Sequence, residues 1–251
     1  MCDTQLSEEK RAFISIDPKA EKYYNVSPYA YVSNNPINAI DPDGKIVLFI
    51  NGMHGGSGGS KDYWGSFATS TMTHFNDNNA RYFDGTQNEY GNKSGMWGLG
   101  TNSNHFARIN AGRAEGLRQA ESIIGGLTRN EDGVITEPIR VVTHSMGAAF
   151  GKGFIGALQD YIADNPETAN GVQISAYDFA AFQQNQLQAN KNVPLYQYDN
   201  KGDKVVNGFI GDIFGSEHAK QKGATIYIPN ANPQGGHNIA DFESVIKNLP
   251  R

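Results

Sequence analysis

A serine hydroxyl attacks a carbonyl only when it stands clear of the backbone and has a base beside it. Ser145 lies in RVVTHSMGAAFGKGF, residues Arg140–Phe154. The apolar run before it reads as a buried strand, and the small residues after it open a helix. Such a strand-to-helix turn projects the serine Oγ outward, provided the residues two before and two after are small. Gly147 meets the second condition. Thr143 is small but β-branched and meets the first imperfectly. The start of the helix places backbone N–H groups and the positive end of its dipole next to the serine. The N–H of Met146 would point at a developing oxyanion. The competing reading is a serine that merely caps a helix. The strand before and the small-residue helix after favour the nucleophile.

A base must come from elsewhere in the chain. His218 and His237 follow Ser145. His218, in the polar stretch GSEHAKQKG, is expected at the surface. His237, in NPQGGHNIADFE, follows the last expected strand and precedes the final helix, and Gly235 and Gly236 let that loop reach over the sheet edge. His144 should point away from Ser145, because successive strand side chains alternate in direction, and it is expected to be structural.

These residues need elements to hold them. Ile46–Ile50 is a continuous apolar run, as expected of a strand buried on both faces. The glycine-rich NGMHGGSGGS follows. Residues 61–77 are expected to be helical, ARYFDG a short strand and NKSGMWGLGTNSN a loop. Residues 105–127 form a long amphipathic helix with an apolar stripe of Phe106, Ile109, Ala120, Ile123, Ile124 and Leu127. PIRVVTHS is a strand and residues 146–164 a helix. VQISAYDFA, VPLYQYDN and ATIYIPN are further strands, and NIADFESVIKNL is a terminal amphipathic helix. Strands alternating with helices imply an α/β domain over residues 46–251, its sheet mostly parallel with helices on both faces. Reactive groups in such sheets collect where the strands end.

Composition narrows the chemistry. The 251 residues carry a net charge of −5, which argues against a nucleic-acid grip. The single cysteine, Cys2, excludes an intrachain disulfide and a cysteine-based zinc site. The histidines lack metal-ligand spacing, and Asp41, Asp43 and Gly44 fill too few positions of a calcium loop. Neither a metal nor another cofactor is expected. GGSGGSK lacks the order of a phosphate-binding loop. No apolar run approaches the roughly 18–20 residues of a membrane span, and the first residues lack a secretory signal pattern. The chain is expected to be soluble.

THSMGA resembles the nucleophile turn of lipases and esterases in the α/β-hydrolase family, with Thr143 departing from the strict G-x-S-x-G pattern. The resemblance implies an α/β-hydrolase-like fold and the chain order serine, acid, histidine. His237 stands where the family carries its catalytic histidine. The family's acid follows the second strand after the serine. GDKVV resembles the D-x-V-V that often carries it, so Asp203 is favoured, Asp199 at the strand end is second and Asp178 third. The second oxyanion donor comes from the loop after an early strand, here FINGMHGGSGG. Met53 is first by position, with Gly52 or His54 close behind. His54 could also line the pocket or bind substrate, and Trp97 and Leu99 could form an apolar lid or acyl-chain wall.

Residues 1–45 differ in kind. They are rich in Asn, Pro, Asp and Tyr, which predicts an irregular arm. YYNVSPYAYVSNNPINAIDPDG, with Tyr29–Tyr31, Asn34–Pro36 and Asp41–Gly44, resembles the end of an Rhs/YD-repeat core domain. In that family a variable toxin module follows. The two resemblances together imply a lipase or phospholipase effector, secreted or delivered into a target cell by a dedicated secretion system. Its expected partners are a lipid or other ester substrate and a neutralising immunity protein. A serine amidase or peptidase, or a non-catalytic module with the same fold, are the alternatives.

Overall fold

In a computed structural model of the chain, the described residues are 46–87, 104–206, 208, 212–213 and 215–251. Cys2, the 1–45 arm with its Rhs-like motifs, and Trp97 and Leu99 lie outside them. Division into compact units places a boundary between Pro42 and Asp43, near the one expected after residue 45. Everything below concerns the second unit.

Six strands form one sheet: β1 (Ile46–Asn51), β2 (Ala80–Asp84), β3 (Pro138–His144), β4 (Gln173–Phe179), β5 (Leu195–Tyr198) and β6 (Ile226–Ile228). Their order is β2-β1-β3-β4-β5-β6, and every pairing is parallel. The helices are α1 (Ser66–Phe75), α2 (His105–Gly125) and α3 (Gly147–Asp164), with a 3₁₀ segment at Ile239–Asn248.

Strand alternation divides the core in two. Ile46, Leu48 and Ile50 face a cluster built with α2 and α3. Val47 and Phe49 face another, built with Trp64, Phe67, Phe75, Phe242 and Ile246 from α1, its approach and the C-terminal segment. Helical layers thus cover both faces, which is why β1 carries apolar residues at five successive positions, Ile46–Ile50, rather than at alternate ones.

Three local expectations change. Gly65, at φ 53, separates a 3₁₀ turn at Lys61–Tyr63 from α1, so residues 61–77 are not one helix. The final segment, expected to be an amphipathic helix, is 3₁₀ over Ile239–Asn248 and buries Ile239, Phe242 and Ile246. Phe106 is 63% exposed, so it does not belong to the packing stripe of α2. The first half of α2 packs through small residues instead. A Cβ on Gly112 would lie 1.9 Å from the Phe150 carbonyl oxygen of α3.

The topology also positions a site. From β1 the chain turns to one side for β2, then crosses to the other side for β3. Loops after β1 and β3 therefore splay apart at the carboxyl edge, and the crevice between them is where parallel sheets bind ligands.

Candidate active site

Ser145 is the residue directly after β3, on that edge. Its φ is +55, a conformation that costs a non-glycine residue about 1–3 kcal/mol and persists only where the surroundings impose it. The constraints are visible. Ser145 N–H donates to the Phe179 carbonyl at 3.0 Å, and its own carbonyl accepts from Phe182 at 3.1 Å and Ala148 at 3.2 Å. The turn is stapled to the end of β4 and to the first turn of α3.

Thr143 is accommodated. Its Oγ1 donates to Asp178 Oδ1 at 2.8 Å, which swings the side chain out of the turn. Its Cγ2 lies where Gly151 leaves room, since a Cβ on Gly151 would sit 2.7 Å from it. The space that a glycine at 143 would supply is supplied six residues after the serine. Gly147 is needed because a Cβ there would lie 2.3 Å from the Ile50 carbonyl oxygen.

His237 and Asp203 lie in series with Ser145. His237 Nε2 is 2.8 Å from Ser145 Oγ, and His237 Nδ1 is 2.7 Å from Asp203 Oδ2. With Nδ1–H donating to the carboxylate, Nε2 is free to accept the serine proton. Asp203 is buried, and its Oδ1 accepts the N–H groups of Val205 at 2.9 Å and Val206 at 3.2 Å. Burial pushes its carboxyl up, but the hydrogen bond and charge of His237 together with those two N–H groups outweigh burial. Its pKa lies below the usual value, so the acid is ionised at neutral pH.

The His237 loop is tied down by residues that the sequence did not single out. Asn200 Nδ2 donates to the Gly236 carbonyl at 3.0 Å, and Asn200 Oδ1 accepts from Asn232 N–H at 2.8 Å. Gly236 N–H donates to Asp241 Oδ2 at 2.8 Å. Asn200 follows β5 and Asp241 lies on the terminal 3₁₀ segment, so the base is anchored to two elements far from Ser145 in sequence.

The glycine-rich loop abuts the nucleophile. A Cβ on Gly52 would lie 2.5 Å from Ser145 Cβ and 3.0 Å from its Oγ, so only glycine fits. Gly52 N–H donates to Tyr63 Oη at 3.3 Å, which spends it. Among the described residues, the N–H groups of Met53 and Met146 have no hydrogen-bond partner. They remain available to an oxyanion.

Both ring nitrogens of His54 have partners within the fold. Nδ1 accepts the N–H groups of Gly56 and Gly58, both at 3.0 Å, and Nε2 meets Asp84 Oδ2 at 3.1 Å. Both nitrogens are spent on folding the loop that presents Met53.

The other acids have separate roles. Asp178 accepts from Thr143, from Lys152 Nζ at 2.6 Å and from Gln221 Nε2 at 2.8 Å. Breaking one partner of such a buried ion pair costs about 3–5 kcal/mol, which makes Asp178 a support beneath the turn rather than the triad acid. Asp199 faces His218, 3.9 Å away, and not His237. His218 is not the surface residue expected, since its side chain is 15% exposed.

Two cavities lie away from Ser145. One of about 570 Å³ is lined by Pro138, Gln173, Pro194 and Arg251, by the beginnings of β3, β4 and β5. Another of about 440 Å³ is lined by Met72, Asn76 and Tyr82. Neither includes Ser145. Among the described residues no His, Cys, Asp and Glu cluster is placed to hold a metal ion, and no helix is long and apolar enough to cross a membrane.

No protein-family model, curated protein or solved structure matches the chain.

Proposed function

We propose that residues 46–251 are an α/β-hydrolase-like serine hydrolase that cleaves carboxylic esters. The observation that carries this reading is the unbroken series Ser145 Oγ, His237 Nε2, His237 Nδ1, Asp203 Oδ2, at 2.8 and 2.7 Å, set on a turn with φ +55.

His237 Nε2 takes the Ser145 proton as Oγ bonds to the ester carbonyl carbon. The carbonyl oxygen becomes an anion held by the N–H groups of Met146, at the start of α3, and Met53, in the loop after β1. His237 returns the proton to the departing alcohol, leaving an acyl-serine. Water then gives a proton to His237 and its hydroxyl to the acyl carbon. Ser145 regains its proton and a carboxylic acid leaves. Ionised Asp203 holds the ring orientation and stabilises the imidazolium.

A lipid or phospholipid ester as substrate follows from the lipase-like turn. Action as an Rhs-type antibacterial effector, delivered to a target cell and opposed by an immunity protein, follows from residues 23–44. Both rest on resemblance.

A fluorophosphonate probe tests the chemistry. Wild type is expected to be labelled on Ser145 and Ser145→Ala not at all. An unlabelled wild type, or equal labelling of the variant, sinks the reading. A panel of short- and long-chain esters, phospholipids and amides then sets the substrate class, and turnover of amides alone would replace the esterase assignment.

A further inference from the structure

We propose, building on the serine-hydrolase reading, that Tyr63 and His144 are positioning residues. They form one directed hydrogen-bond relay that ties the oxyanion loop to the backbone of the catalytic histidine. The relay runs from Gly52 N–H to Tyr63 Oη at 3.3 Å, from Tyr63 Oη to His144 Nδ1, and from His144 Nε2 to the His237 carbonyl at 2.7 Å.

Its direction is forced by its ends. Gly52 N–H can only donate and the His237 carbonyl can only accept. His144 Nε2 must therefore carry a proton. In a neutral ring Nδ1 is then an acceptor, which the Tyr63 hydroxyl proton satisfies, and the Tyr63 oxygen accepts from Gly52. Every donor and acceptor in the relay is used in one sense only. A cationic His144 would break it, because Nδ1 would also donate and the Tyr63 proton would lose its acceptor.

The surroundings keep the ring neutral. His144 is buried, and burial followed by the nearby His237 holds its pKa down to about 3, against weaker opposing effects from the His237 carbonyl and Asp203. Those groups and Tyr63 are the titratable residues facing it. Its ring lies 5.7 Å from Tyr63, 6.5 Å from Trp64 and 5.0 Å from His237, centre to centre. Burial also holds the Tyr63 hydroxyl protonated, with the Gly52 N–H opposing.

The consequence is geometric. Asp203 fixes His237 through its ring, and His144 fixes it through its backbone, so both rotation and translation of the base are constrained. The same relay holds the Gly52–Met53 peptide next to Ser145. A misplacement of about 1 Å at such a site costs on the order of 100-fold in rate. His144 directly precedes Ser145, so nucleophile, base and oxyanion donor share a single buried reference point.

The test combines ring spectroscopy with kinetics on the full chain. Long-range ¹⁵N–¹H NMR of wild type at neutral pH should show His144 as the Nε2–H tautomer. Tyr63→Phe should admit the Nδ1–H form. On a p-nitrophenyl ester, Tyr63→Phe and His144→Phe should lower kcat about 10- to 100-fold with KM nearly unchanged, while His144→Gln, which restores a donor near Nε2, should stay within about fivefold of wild type. A cationic or Nδ1–H His144 in wild type overturns the relay, and this holds even if the variants do not fold. So does wild-type kcat in folded Tyr63→Phe and His144→Phe, or a Gln variant no better than Phe. Wild type that is unlabelled by fluorophosphonate but shows the expected tautomer removes the hydrolase reading and leaves the relay standing.

Discussion

Two aspartates follow β5 four residues apart, and each faces a histidine. Asp203 meets His237 at 2.7 Å; Asp199 meets His218 at 3.9 Å. Both carboxylates are buried. The difference lies in what else reaches them. Asp203 has two backbone N–H donors on one oxygen and an imidazole on the other, and its pKa falls. Asp199 is raised by burial against weaker opposing contacts, and its Oδ1 has no hydrogen-bond partner among the described residues. A buried carboxylate stays charged only when hydrogen bonds replace the water it loses. The turn after residue 203 supplies two backbone N–H donors, whereas Asp199 accepts through Oδ2, from Gln197 Nε2 at 3.1 Å, and leaves Oδ1 without a partner among the described residues. Only the first pair reaches a serine, with His237 Nε2 2.8 Å from Ser145 Oγ.

The sharpest way to break this contrast is to neutralise each acid. Asp203→Asn is expected to lower kcat by about 10³- to 10⁴-fold, since the amide disfavours the tautomer that leaves Nε2 open. Ester hydrolysis in a folded variant checks it. Asp199→Asn should leave kcat within about threefold of wild type. Reversed magnitudes would exchange the roles of the two acids and undo the reading of the site.

The smallest effect is on stability. Contact with Asp199 raises the His218 pKa, burial opposes it, and the Asp203 charge and backbone add to the rise. A folded pKa above the unfolded one contributes stability that is complete below the unfolded value, about 6.5 for histidine, and is lost as pH climbs through the raised value. Asp199, also raised, loses its contribution as pH climbs through its own folded pKa from the unfolded value of about 3.9. Melting temperatures at about pH 6 and about pH 8 should therefore favour the lower pH through this pair, and His218→Gln should narrow the gap. An unchanged gap would show that the pair is not coupled to folding. Asp203 has the opposite sign: its lowered pKa contributes stability above the unfolded value, lost only in acid.

Much of this was legible in the chain. The apolar run at 46–50 announced a strand buried on both faces, because a sheet covered by helices on each side makes successive positions apolar. Ser145 was legible because a nucleophile turn is a local object, with strand before, small residues after and helix beyond. His237 was legible from its glycines and its place after the last strand. Tyr63 carried no signal, since an aromatic in KDYW is equally at home in a core, and His144 read as structural without its partners. His54 read as a possible oxyanion donor, pocket-lining or substrate-binding residue, and its sequence does not show that two glycine N–H groups converge on its ring.

The residues alone thus determined a parallel α/β sheet, a serine turn at a strand end and a short set of possible partners. Local rules suffice there, because periodicity, glycine and turn chemistry act over a few residues. The tertiary structure decided which aspartate meets His237 and which of its ring nitrogens faces Ser145. Those choices depend on groups that approach across the sheet edge from 34 to 93 residues away. It also decided that Thr143 serves where a glycine was expected, because the room for its methyl group is made by Gly151 on the facing helix.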